Sequence, residues 1–188
     1  MLRSIVHNVH RIEKLADDLI GLVEHERERG ENTRFSLLDL LREAREHCLE
    51  TQLGEVVIQP GMPELVGDRV RLNLLFTNLI SNGLKFNRSP RPRVEVDWTD
   101  LGSYWEITVT DNGIGIEPRY HEHIFDLFFR LNSKDEFDGT GTGLNLARRI
   151  VEEHRGTINV ESEAGKGSRF IVRIPKDPSL LTSPGLER

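Results

Sequence analysis

Residues 78–87 read Asn78-Leu79-Ile80-Ser81-Asn82-Gly83-Leu84-Lys85-Phe86-Asn87 and close an apolar stretch that opens at Asp68. Leu72, Leu75, Phe76, Leu79 and Ile80 recur at three- and four-residue spacing, so the stretch predicts a core-facing helix. Asp68 has the short acceptor side chain that suits the N-cap. Asn78 and Asn82 are four apart and share a face, as do Asn82 and Phe86. A carboxamide oxygen can ligate magnesium without adding charge, and an ammonium such as that of Lys85 can offset phosphate charge. Polar residues on such a helix also simply face water, so this segment alone leaves both readings open.

Three further segments follow in order. Asp111-Asn112-Gly113-Ile114-Gly115-Ile116 comes directly after an alternating run. A carboxylate at a strand end can accept a hydrogen bond from an exocyclic amine such as that of adenine. Gly113 and Gly115 let the backbone approach a flat ligand, although Asp-Asn-Gly is equally an ordinary turn. Ile124-Phe125-Asp126-Leu127-Phe128-Phe129-Arg130 reads first as core packing, with Arg130 offering fork geometry to a phosphate. Gly139-Thr140-Gly141-Thr142-Gly143-Leu144 then opens a helix running to His154. Backbone N–H groups exposed by glycines at a helix start make an anion site. No Lys-Ser/Thr follows the last glycine, so this is not a Walker loop, and the spacing is not that of a Rossmann fingerprint.

Around these segments the pattern is that of an α/β domain. Ser36, with Asp39 three residues on, predicts the start of a helix sending Leu37, Leu40, Leu41, Ala44 and Leu49 to a core. Glu55 to Gln59 predicts a strand, and Pro60, Gly61 and Pro63 a turn. Val94, Val96 and Trp98, then Trp105, Ile107 and Val109, alternate as two strands after a proline-bearing loop at 89–92. A short helix is expected near Tyr120 to Phe129, and Gly156 suits the C′ position after the helix ending at His154. Strands 157–162 and 169–174 close the domain through a hairpin turn holding Gly165 and Gly167. The first ~28 residues predict a long helix, since Ile5, Val9, Ile12, Ala16, Leu19 and Val23 alternate spacings of four and three. Leu15 and Leu22 add a second apolar line, which calls for partner helices. Gly30 to Thr33 mark a boundary, and the Pro- and Ser-containing end from about Lys176 is expected to be disordered.

Composition narrows the class. The 188 residues are 37% hydrophobic, and no run approaches the roughly 18 apolar residues of a membrane helix. A formal charge of −6 argues against nucleic acid as the main partner. One cysteine, Cys48, excludes an internal disulfide framework, and the first residues show no secretory signal. A cytoplasmic setting is the expectation.

Taken together and in this order, the four segments resemble the N box, first glycine box, F box and second glycine box of the histidine-kinase catalytic domain. That family belongs to the wider Bergerat-fold ATPases, which include gyrase, Hsp90 and MutL. The resemblance spans roughly residues 35 to 175, and His154-Arg155-Gly156-Thr157-Ile158 through Gly165-Lys166-Gly167-Ser168 also fit. It implies a two-layer α/β sandwich with a mixed sheet against helices, preceded by a dimerisation-type helix. It also implies ATP and magnesium as ligands. Carried over, Asn82 would ligate magnesium with Asn78 in support, Lys85 would contact phosphate and Phe86 would lie against the nucleotide. Asp111 would read the adenine amine, with Gly113, Gly115 and Ile116 about the base. Gly139, Thr140, Gly141, Thr142, Gly143 and Leu144 would form the phosphate-facing part of a lid, with Arg130 near the terminal phosphate. The short lid, with Lys85 to Pro90 and Glu136 to Gly139, looks like kinases of the bacteriophytochrome type.

One position separates branches of the superfamily. Gyrase, Hsp90 and MutL carry a glutamate four residues before the magnesium-binding asparagine, where it serves as a base. Here that position is Asn78, which favours transfer to an intrinsically nucleophilic imidazole over hydrolysis. The family's acceptor motif, similar to His-Glu-Leu-Arg-Thr-Pro, is absent from the sequence. His7, His10 and His25 lack its context, and His121 and His123 are spaced poorly for a metal. The expected organisation is therefore 1–30 as the second helix of an incomplete dimerisation region, 31–176 as the catalytic domain and 177–188 as a tail. The partners implied are an acceptor-histidine segment of the parent kinase, a response regulator and, in the full-length protein, a second copy. The alternative is a non-catalytic ATP-binding pseudokinase or dimerisation adaptor.

Overall fold

A computed structural model describes residues 30–131, 137 and 140–177. The expected N-terminal helix, with His7, His10 and His25, lies outside the described residues, as do Gly139 and the tail from 178.

The chain forms, in order, β1 (Thr33–Ser36), α1 (Leu37–Thr51), β2 (Glu55–Ile58), β3 (Glu64–Gly67), α2 (Arg69–Lys85), β4 (Arg93–Asp100) and β5 (Tyr104–Asp111). Then come two single 3-10 turns (Pro118–Tyr120 and His123–Phe125), α3 (Gly143–Glu153), β6 (Thr157–Glu163) and β7 (Gly167–Pro175). Five strands make a mixed sheet in the order β2-β4-β5-β7-β6, parallel only between β2 and β4. Strand alternation sends Val94, Val96, Ile107, Val109, Phe170, Val172 and Ile158 to one face, where all are buried. The helices cover that face with Leu37, Leu40, Leu72, Leu75, Phe76, Leu79, Ile80 and Ile150, each fully buried. Burying a Leu, Ile or Phe is worth roughly 1.5–3 kcal/mol, so this single apolar layer is what holds sheet to helices. The other sheet face is laced by ion pairs such as Arg173–Glu106 and Arg169–Glu161 and meets solvent. The result is the expected two-layer α/β sandwich.

Caps form where short polar side chains predicted them. Ser36 Oγ accepts the Asp39 N–H at 3.2 Å, and Asp68 Oδ1 accepts those of Val70 and Arg71, each at 3.1 Å. Several details differ from expectation. Leu49 is exposed and Cys48 is buried in its place, because the core stripe of α1 runs Leu37, Leu40, Leu41, Ala44, Cys48. A small two-stranded sheet, β1 antiparallel to β3, forms just after the boundary and just after the turn, where the sequence predicts no strand. The segment near Tyr120–Phe129 is two 3-10 turns, not a helix.

The end of α3 also differs. Arg155, at φ 56°, occupies the left-handed C′ position, and Gly156 is the following residue. Gly156 N–H donates to Val151 O and Arg155 N–H to Glu152 O, both at 2.8 Å, which is the Schellman pattern. Glycine is required at 156 by space, since a Cβ there would lie 2.2 Å from the Arg173 carbonyl oxygen.

Candidate functional site

A cavity of about 340 Å³ opens between α2, the end of β5, the second 3-10 turn, β7 and the start of α3. From the predicted set it is lined by Asn78, Asn82, Lys85, Phe86, Asp111, Gly115, Ile116, Arg130, Thr140, Gly141, Thr142, Gly143 and Leu144. Residues separated by up to 66 positions thus meet around one space. Gly113 is buried beneath it: a Cβ there would stand 2.4 Å from the Phe86 carbonyl oxygen, so its role is to let loop and helix end touch.

The floor is set by Asp111. Its Oδ1 accepts the Gly113 N–H at 2.8 Å and the Ser168 N–H at 3.2 Å. Burial pushes its carboxyl up from 3.8 to about 6, partly offset by those two hydrogen bonds. With Oδ1 engaged, Oδ2 is the acceptor available to a ligand donor. The loop after it is fixed to the β6–β7 hairpin. Gly165 N–H donates to Ile114 O at 2.7 Å, and Ile116 N–H to Ser162 Oγ at 2.8 Å. Gly115 has φ +67°, and a Cβ there would come within 2.0 Å of the Glu163 carbonyl oxygen.

On the helical side, Asn78 Nδ2 donates to Leu74 O at 2.9 Å. Its Oδ1 lies where a Cβ on Gly143 would come within 2.7 Å, so the glycine lets α3 close on α2. Asn82 and Lys85 project from the next turn, and Lys85 Nζ stands 5.4 Å from the centre of the Phe86 ring. Across the mouth, Arg130 Nη2 donates to the Phe137 carbonyl at 2.8 Å, and Phe137 packs on Phe86 with ring centres 5.3 Å apart. Phe128 holds φ 64°, unusual for an aromatic residue, and its N–H donates to Gly141 O at 3.0 Å. Gly141, at φ +80°, sits where a Cβ would be 2.6 Å from the Phe129 carbonyl oxygen. Asn145 Nδ2 adds a bond to Phe125 O at 2.9 Å.

The sequence reading missed Ser81, Ile114, Ile124, Phe129, Leu131, Ser168 and Phe170 as lining residues. Ser168 had a signal in the Gly165-Lys166-Gly167-Ser168 run; the apolar ones read only as core. Chemically, the cavity offers a buried carboxylate acceptor at one end. At the other it offers carboxamide oxygens, an ammonium, a guanidinium and glycine N–H groups. Asp111 is the one carboxylate among the described lining residues, and no three His, Cys, Asp or Glu side chains gather as metal ligands among the described residues. Such a donor set suits a magnesium ion that arrives with phosphate oxygens and water and takes one protein oxygen.

Comparison with known proteins agrees with this geometry. Residues 67–178 match the family described as histidine kinase-, DNA gyrase B-, and HSP90-like ATPase. The phytochrome-like protein Cph1 of Synechocystis is 34% identical over 173 residues, which is 90% of this chain and 23% of that protein. The sensor histidine kinase RppB of the same organism is 34% identical over 93% of this chain and 40% of its own length. The catalytic domain of histidine kinase ThkA superposes with TM-score 0.66 at 27% identity, covering 80% of this chain and 99% of that one. The chain thus spans less than half the length of these two curated relatives. No helix among the described residues is long and apolar enough to cross a membrane. With its four segments assembled around one cavity on this sandwich, the chain belongs to the histidine kinase-, DNA gyrase B- and HSP90-like ATPase family, on the branch of the sensor histidine kinases.

Proposed function

We propose that this chain is the catalytic ATP-binding part of a two-component sensor histidine kinase and moves the γ-phosphoryl group of magnesium-ATP to a histidine outside the chain. The observation that carries this is Asn78. It occupies the place of the water-activating glutamate, its amide is tied to Leu74 O, and no carboxylate but Asp111 lines the described cavity. A site without a general base suits a nucleophile that needs none. The imidazole nitrogen forms the new P–N bond, the bond from the γ-phosphorus to the bridging oxygen breaks, and ADP leaves. The imidazole loses its N–H proton to solvent.

In this reading Asp111 Oδ2 accepts the adenine amine, and Gly115 and Ile116 border the base. Phe86 packs beside the nucleotide. Asn82 holds magnesium, with Asn78 bracing its helix, and Lys85 and Arg130 face the phosphates. Thr140, Gly141, Thr142, Gly143 and Leu144 turn N–H groups toward them, with Gly139 as the preceding hinge. Bound magnesium neutralises charge developing on the phosphate oxygens. The protein's own work is positioning and electrostatics. The first 30 residues serve as the second helix of the dimerisation region, and 31–176 as the catalytic domain. In this reading the domain works in the cytoplasm, whether the parent is soluble or membrane-anchored. The full-length protein is a homodimer that passes the phosphoryl group to a response regulator and has no nucleic-acid partner.

The test mixes this chain with labelled ATP and the parent protein's separately made dimerisation segment. Label retained on that segment in the acid-labile form of phosphohistidine is expected. ATP binding with no transfer would instead support a pseudokinase or adaptor.

A further inference from the structure

The floor and mouth of the cavity leave one buried polar cluster unused, about 16 Å away at the other end of the eleven-residue α3. His154 ends α3 and is only 9% exposed. Its Nδ1 lies 2.7 Å from the Ile150 carbonyl oxygen, and the Asp68 backbone N–H points at its Nε2 from 3.0 Å. Both partners define the tautomer: Nδ1 carries the proton and donates, and Nε2 accepts. The ring is seated on Gly67, where a Cβ would come within 2.7 Å of it. Asp68 is itself a junction. Its Oδ1 caps α2 and its Oδ2 accepts the Gly30 N–H at 2.7 Å. Beside it, the mostly buried Arg71 of α2 pairs with Glu153 of α3.

Helices α2 and α3 run antiparallel and pack through the shared core, with close approaches at both ends of α3. At the cavity, Gly143 meets Asn78; at the far end, His154 meets Asp68. One attachment lets a rigid rod pivot, and a second at its other end removes that freedom. The near attachment is a close approach of a glycine to a carboxamide, with Asn145 tied beside it to the Phe125 carbonyl. At the far end α3 is held directly to α2 and its cap by the Asp68 N–H on His154 and by the Arg71–Glu153 ion pair.

We propose that His154 is a positioning residue of the nucleotide site: by accepting the Asp68 N–H it anchors α3 to α2, which holds Thr142, Gly143 and Leu144 against the cavity. This rests on the reading of the cavity as an ATP site. Because Asp68 also holds Gly30, the same joint links Gly30 to α3.

The deciding chemistry is the acceptor at Nε2. His154→Gln places an amide oxygen near that position, whereas His154→Asn reaches only as far as Nδ1 and His154→Phe keeps ring shape without nitrogen. The Ile150 carbonyl keeps the residue-154 backbone N–H in all three. The measurements are magnesium-ATP affinity by calorimetry and hydrogen exchange of the Thr142–Leu146 amides without nucleotide. His154→Gln should stay within about twofold of the parent in affinity. His154→Asn and His154→Phe, which strand a buried N–H, should bind about tenfold more weakly. Their Thr142–Leu146 amides should also exchange about tenfold faster. Wild-type affinity and exchange in His154→Asn would overturn the proposal, as would equal losses in all three variants. If His154→Phe does not fold, His154→Asn against His154→Gln decides. Failure of the unmodified chain to bind ATP would instead refute the site reading, and the nucleotide-free exchange would still judge the joint.

Discussion

Asp111→Asn separates the electrostatic cost of the site from its use. Burial raises the Asp111 carboxyl from 3.8 to about 6. Between those values the folded chain holds a proton that the unfolded chain has released, so stability falls as pH rises through the window. At roughly 1.36 kcal/mol per pKa unit, the ionised carboxylate costs about 3 kcal/mol by pH 7. An asparagine keeps the shape and the Oδ1 acceptor for Gly113 and Ser168 but does not ionise. Urea unfolding at pH 4, 5, 6 and 7 should show the Asp111→Asn protein gaining on the parent by roughly 2.4 kcal/mol from the lowest pH to the highest. In calorimetry the same protein should lose ATP affinity by at least about tenfold, because Nδ2 now presents donors to the adenine amine. Parallel stability curves would show that burial does not govern this carboxylate. Unchanged affinity would show that Asp111 does not read the base.

Gly115→Ala puts a methyl group against the Glu163 carbonyl at a left-handed backbone position, and should cost about 2 kcal/mol or more in urea unfolding. A neutral result would mean that the 113–116 loop does not rest on the hairpin. Asn82→Ala should abolish the magnesium-dependent part of ATP affinity and leave adenosine affinity unaltered; calorimetry with and without magnesium measures both. His154 is held neutral by burial, so its pKa lies below the ordinary 6.5. The unfolded chain takes up this proton first, hence stability from this group is full above 6.5 and is lost as pH falls through the folded value. In the Asp111→Asn background, where the opposing slope is gone, His154→Gln should flatten the acid side of the stability curve. An unchanged slope would place the acid sensitivity elsewhere.

Much of the fold was legible because its elements carry strong local signals. The 3.6-residue stripe of α2, the Asp68 cap and the alternation of β4, β5 and β7 each follow from backbone geometry and side-chain period. What failed lacks such a signal. Strands β1 and β3 are four residues each and exist by pairing with one another across 27 intervening positions. Leu49 and Cys48 differ by one position on a helix, and the packing partner chose between them. The left-handed residue after α3 is Arg155, because Gly156 is needed next to the Arg173 backbone.

The candidate site divides the same way. Residue types and their order along the chain determined the chemistry: carboxamides on one helical face, a carboxylate at a strand end, and glycines ahead of a helix. Those are properties of side chains and of local backbone, and they survive in one dimension. Tertiary structure alone decided that Asp111 sits on the Ser168 and Gly113 amides with a raised pKa, and that Gly113 is a spacer under the cavity. It also decided that His154 grips Asp68 across 86 positions. Desolvation and long-range hydrogen bonds depend on what lies around a group in space, which the neighbours of a residue in sequence do not specify.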